Sequence, residues 1–195
     1  MRSGQRDFDS GFSLIEAVVA TSILCVAVVS LAELLALATR TNVASRKTTR
    51  AVILAEQKME QLKALAWSRD DSGIPVSDMA SNLAAFPATG LCAEVVTGVA
   101  VGLMPSPSRS LAENIDGYVD YVDAQGCGLG GGAVPPPGST HLRRWSIGTS
   151  GLGGNTLVLQ VLVTDRGIRT AAAEDAGRRM PDEAVVVSVK ARRSP

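Results

Sequence analysis

The sequence predicts an α+β chain, one long N-terminal helix followed by an antiparallel sheet of about four strands. Two observations carry that expectation. No glycine or proline occurs from residue 12 to residue 72, a span far beyond the average helix of about 11–12 residues. Downstream, four β-branched runs are each bounded by turn residues.

The helix comes first. From Phe12 to Ala38 the chain is apolar except at Glu16 and Glu33. As a helix this stretch is about 40 Å long, enough to cross a hydrocarbon layer of about 30 Å with some tilt. From Thr41 to Trp67 the pattern turns amphipathic. Val52, Ala55, Met59, Leu62 and Ala66 recur at spacings of three and four, with Arg50, Glu56, Lys58, Glu60 and Lys63 around them. One helix from Phe12 to Trp67 is expected, about 84 Å long at ideal rise. The Ser, Asp, Gly and Pro of residues 68–77 end it.

The strands follow. Residues 117–124 (GYVDYVDA), 142–149 (LRRWSIGT), 156–164 (TLVLQVLVT) and 184–192 (AVVVSVKAR) have strand composition. The segment GCGLGGGAVPPPG, residues 126–138, reads as a flexible loop between the first two, and GLGGN separates the next pair. Residues 78–116 are compatible with either strand or loop.

Charge and residue usage exclude several classes of function. The chain has 19 basic and 19 acidic residues, so no bulk affinity for nucleic acid is expected. The single histidine, His141, has no second imidazole with which to build acid–base or metal chemistry, and no nucleophile–base–acid set can be assembled. Cys25 lies in the apolar run and reads as a small packed hydrophobe. Cys92 and Cys127 either pair, closing a loop of about 35 residues worth roughly 3–4 kcal/mol, or remain free half-buried thiols.

Other residues invite chemistry and have plainer explanations. Asp116, Asp120 and Asp123 are oxygen donors, but their spacing is not that of an EF-hand, and a solvated strand edge accounts for them. Gly126, Gly128 and Gly131 echo a dinucleotide fingerprint without its strand–helix context, which leaves a flexible loop. Arg143 and Arg144 stand beside Trp145 as a nucleobase-stacking group would, yet a strand with two exposed charges and one buried aromatic is more ordinary. Glu33 fits an interfacial carboxylate.

Glu16 needs a reason, because a carboxylate in a membrane-grade run is costly. Three readings cover residues 1–40. A secretory signal peptide would use the small residues of ALA at 36–38 and leave a chain starting at Thr39. A plain signal anchor leaves Gly11 and Glu16 unexplained. The third rests on a resemblance. Gly11-Phe12-Ser13-Leu14-Ile15-Glu16 before an apolar run resembles the class III signal of type IV prepilins and type II secretion pseudopilins. The segment LAEQKMEQLKAL at 54–65 is similar to the helix end of PilV-type minor pilins and of minor pseudopilins.

The resemblance implies a pilin fold and a structural role without catalysis or cofactor. It implies cleavage between Gly11 and Phe12 by a prepilin peptidase, with N-methylation of Phe12, which makes residues 1–11 a leader. Residues 12–39 become a transmembrane and filament-core helix, 40–67 its amphipathic continuation, and 68–195 a periplasmic head. Glu16 becomes an assembly residue that meets the new α-amine of a neighbouring subunit. A buried carboxylate and a buried ammonium are each costly alone and far less so together, and such a pair sets register. The implied partners are the peptidase, other major and minor pilins or pseudopilins, an inner-membrane assembly platform and the membrane itself. A membrane-anchored periplasmic binding domain is the alternative from another class. Arg2 and Arg6 suit a cytoplasmic N-terminus, whereas Arg40, Arg46, Lys47 and Arg50 after the helix oppose that count.

Overall fold

The computed structural model describes residues 13–150, 154–166 and 183–192. A 51-residue helix, α1 (Leu14–Ala64), opens the described chain. It is followed by β1 (Trp67–Arg69), β2 (Pro75–Ser77), β3 (Val119–Val122), β4 (Gly128–Gly131), β5 (His141–Thr149), β6 (Thr156–Asp165) and β7 (Ala184–Ala191). β1 and β2 form a two-stranded sheet, and the other five form an antiparallel sheet in the order β4-β3-β5-β6-β7. The chain is therefore α+β, with a main sheet of five strands where about four were expected.

The chain divides into two compact units, residues 1–43 and 44–195, and α1 runs through the boundary. In the first unit every described residue is exposed, including Leu14, Ile15, Ile23, Leu31 and Leu35. An exposed apolar surface of this extent is of the kind found at membrane or protein contacts. By length and composition α1 is a candidate membrane span.

In the second unit α1 buries a stripe of Ala51, Leu54, Ala55, Lys58, Met59 and Leu62. The spacings of three and four are those of one helix face. This face joins Trp145 and Ile147 of β5, Leu157, Leu159, Val161 and Val163 of β6, and Ala184 of β7 in one core. The register explains the layering. Trp145 pairs with Val161 and Val161 with Val186, so alternate residues of neighbouring strands stack on the helix side. Val119, Tyr121 and Leu142 form a smaller cluster on the opposite face. Val52 and Ala66, expected on the buried stripe, are exposed instead.

The helix stops before Trp67, which begins β1 and is buried. Its terminal carbonyls are taken by a side chain from the sheet. The Lys190 ammonium donates to Lys63 O and, at 2.6 Å, to Leu65 O, a cation at the negative end of a helix. The expected helix end at 68–77 is a short hairpin. Asp70 Oδ1 accepts from Ser72 N and Ile74 N at 2.9 and 2.8 Å and shapes its turn.

The glycine-rich segment is not a flexible loop, because Gly128–Gly131 is the edge strand β4, paired to β3. Its glycines serve close approach. A Cβ on Gly128 would stand 2.1 Å from the Phe86 ring, and Gly130 has φ +93 with Thr97 Oγ1 packed against it. The partner is a strap within residues 78–116, where the sequence left strand and loop open. Two isolated bridges organise it, Phe86 with Val95 and Thr89 with Cys92.

Candidate functional site

Gly11 and Phe12, the expected cleavage and methylation positions, lie outside the described residues. Glu16 stands in the first turn of α1 and is exposed. Neither Glu16 nor Glu33 has a hydrogen-bonded or ion-paired side-chain partner among the described residues. The start of the helix adds a local fact. Ser13 precedes Leu14, and its carbonyl accepts from Glu16 N at 3.0 Å and Ala17 N at 3.2 Å. Ser13 at the N-cap with Glu16 three residues on is the S-x-x-E spacing of a capping box, and a carboxylate there also suits the positive end of the helix. Cys25 is exposed on α1 rather than packed within this chain.

Cys92 and Cys127 are joined, with an S–S distance of 2.04 Å and Cα atoms 5.3 Å apart. The bond ties the strap to the residue immediately before β4. Further links hold the same strap down. Thr97 Oγ1 accepts from Gly131 N at 3.0 Å, and Asn82 Nδ2 donates to Thr97 O and Gly98 O at 3.2 Å each.

Beneath the strap lies the least expected feature of the chain, a fully buried cluster of three charges. Lys58 from α1 reaches Asp120 of β3, with Nζ 2.5 Å from Oδ2, and donates to Leu83 O of the strap at 2.8 Å. Arg143 of β5 closes a two-point bond on the same carboxylate, Nε to Oδ1 at 2.6 Å and Nη2 to Oδ2 at 2.8 Å. Aromatic rings complete the walls. The Trp145 ring centre is 4.5 Å from Lys58 Nζ, and Phe86 is 5.6 Å from Nζ and 5.4 Å from the Arg143 guanidinium carbon.

The electrostatics follow from burial. Burial pushes the Lys58 ammonium down from 10.5 to about 8, opposed by the Asp120 carboxylate and reinforced by Arg143. Burial by itself would raise the Asp120 carboxyl, but Arg143 and Lys58 outweigh it and hold the group below its usual value. A carboxylate kept ionised in this way is a poor electrophile towards the adjacent amine. The cluster joins α1, β3, β5 and the strap as a buried clamp.

These contacts correct several expectations. Asp120 is not on a solvated edge, because β3 is an interior strand covered by α1 and the strap. Its two neighbours do different work. Asp116 Oδ1 accepts from Val99 N and Gly117 N, and Asp123 Oδ1 from Gln125 N and Cys127 N. Arg143 and Arg144 are both buried rather than exposed, since β5 is covered on both faces. Arg144 Nε donates to Asn114 Oδ1 at 3.0 Å. Lys58, expected among the charges around the apolar stripe, belongs to the stripe itself, three residues after Ala55 and four before Leu62. That position was the available signal.

Comparison with protein-family models, with curated proteins and with solved structures returned no match for this chain.

Proposed function

We propose that the chain is a minor pilin or pseudopilin, a structural subunit that helps initiate or tip an envelope filament of the type IV pilus kind. A prepilin peptidase cuts it after Gly11 and methylates Phe12. The minor pseudopilin of a type II secretion system is the reading within the same family. The observation that carries the proposal is the pairing of the Gly11–Glu16 motif with an uncovered apolar helix that starts at Leu14 and continues into the core of a sheet. Among the described residues Glu16 and the apolar residues around it are exposed and have no side-chain counter-charge. A bundle of such helices supplies both a cover and, through the new α-amine at Phe12, a counter-charge. Lipid holds the subunit before assembly, with the head in the periplasm.

The test is the mass and N-terminal residue of the native protein. A chain beginning at N-methylated Phe12 supports the proposal, and one beginning at Met1 in a host with an active prepilin peptidase removes it. A start at Thr39 gives the secretory-signal reading.

One observation favours a second reading, a membrane-tethered periplasmic domain. The Ser13–Glu16 spacing is that of a capping box, and a carboxylate in the first turn suits the positive helix end without any neighbouring subunit. Replacement of Glu16 by Leu separates the two, since a tether keeps its place in the membrane while a filament subunit no longer assembles.

A further inference from the structure

Arg40, Arg46, Lys47 and Arg50 oppose the charge count at the two ends of the apolar run, and the filament reading gives them no role. They are concentrated. From residue 34 to residue 55, α1 carries these four cations and no acidic residue. At 3.6 residues per turn the four fall within roughly 120° of the helix circumference, so they form one basic flank rather than a ring. The flank begins two residues after Ala38, where the exposed apolar stretch ends. Helix side chains lean towards the N-terminus, which here is the apolar end. The four are not equivalent. Lys47 pairs with Asp165 at 3.5 Å, and the half-buried Arg50 donates to Asp123 O and Ala124 O. Arg40 and Arg46 are exposed and make no hydrogen bond or ion pair among the described residues.

We propose that Arg40 and Arg46 bind the phosphates of anionic lipid headgroups, with Lys47 and Arg50 adding to the attraction. A guanidinium offers a planar fork of donors that matches phosphate oxygens, and both forks are uncommitted here. Continuity favours lipid over a protein carboxylate. The segment apolar and exposed enough for hydrocarbon runs into the flank without a break in the helix, so the first arginine arrives at headgroup level. Arg46 follows about 9 Å further along the axis, within a Debye length of about 10 Å at 0.1 M salt. Each cation held near an anionic surface strengthens attachment about fivefold. The flank thereby fixes the depth of the span and the lipids around it. This inference rests on the membrane span, which the filament and tether readings share, and on neither of them in particular.

The test uses the full chain in phosphatidylcholine vesicles that contain a trace of spin-labelled phosphatidylglycerol or spin-labelled phosphatidylcholine. Electron paramagnetic resonance reads the fraction of each label slowed by contact with the protein. The native chain is expected to favour the anionic label at least about threefold. Arg40→Gln/Arg46→Gln should lose most of that preference, while Arg2→Gln/Arg6→Gln, changed before the apolar run, should keep most of it. Replacing chloride by inorganic phosphate at equal ionic strength should leave the preference in place. A preference relieved by inorganic phosphate marks a free-phosphate site and overturns the inference, as does one that survives Arg40→Gln/Arg46→Gln. Equal slowing of the two labels by the native chain also overturns it, leaving the span intact and the flank to a protein partner. If neither label is slowed, the span itself falls and the inference with it.

Discussion

Asp120 and Arg143 stand directly opposite each other on β3 and β5, and the arginine holds both oxygens of the carboxylate. The pair is complete in charge without Lys58, which adds a third, cationic member from the helix. This makes the three residues unequal, and the inequality is measurable.

Removing the acid should hurt far more than removing the lysine. Asp120→Asn leaves two buried cations with no anion and should cost about 3–5 kcal/mol. Lys58→Met keeps the Asp120–Arg143 pair and fills much the same volume, but it leaves Leu83 O without its donor, a loss of about 1–3 kcal/mol. Relief of the excess charge offsets part of that. Urea denaturation of the detergent-solubilised chain should rank Asp120→Asn well below Lys58→Met. The reverse order would show that Lys58, not Asp120, holds the clamp.

The same cluster sets a pH dependence. Lys58 titrates near 8 in the fold and near 10.5 when unfolded, so between those values the unfolded chain binds the extra proton. Stability attributable to this group therefore rises with pH across that window. Asp120 acts at the acid end, where its depressed value supports stability above the unfolded 3.8 that is lost as pH falls further. His141 is lowered by burial, with Arg50 and Lys47 adding to it, so it also favours the fold at pH above its unfolded 6.5. Denaturation midpoints from pH 8 to 10.5 should climb in the native chain relative to Lys58→Met. Parallel curves for the two proteins would remove Lys58 as the source.

Phe86 gives a third prediction, because the strap and β4 fit only through the absent side chain at Gly128. Gly128→Ala places a Cβ 2.1 Å from the ring, against Gly148→Ala, whose Cβ meets nothing within 4 Å. The first should cost about 1–3 kcal/mol as an overpacked contact, and the second should be close to neutral. Thermal denaturation compares them. A harmless Gly128→Ala would mean that the strap is not seated on β4.

The disulfide should matter for the same contact. Cys92 and Cys127 are 35 residues apart in sequence, and on the chain-entropy account their bond is worth roughly 3–4 kcal/mol. With both changed to Ser, residues 83–97 should exchange their amide hydrogens faster while β5 and β6 change least. Uniform acceleration across the sheet would instead show that the bond supports the whole head.

How much of this was readable in advance divides along physical lines. α1 and the strands β3, β5, β6 and β7 show in local periodicity, which the chain carries residue by residue. β4 does not, because its glycines are explained by strap residues such as Phe86 and Thr97, more than thirty residues earlier in the sequence. The buried cluster is hidden for a related reason. A lysine, an aspartate and an arginine each look solvated until the β3–β5 register sets Asp120 against Arg143 and the helix face sets Lys58 above them. Glu16 was legible as an anomaly, while its capping position became visible only once the helix was seen to begin at Leu14.

That capping position gives the last prediction, since the two explanations of Glu16 need different atoms. A capping box needs an acceptor on residue 16 and an oxygen on Ser13, and glutamine serves the first as well as glutamate does. An assembly pair needs the negative charge itself. Glu16→Gln should therefore leave membrane insertion and helix content intact yet block incorporation into filaments. Ser13→Ala, which costs about 1 kcal/mol at a helix start, should still assemble. Incorporation is scored by the amount of this chain in sheared surface filaments, with other subunits as the internal standard. If Glu16→Gln assembles like the native chain while Ser13→Ala does not, the carboxylate is a cap and the filament reading loses the charge pair on which it depends.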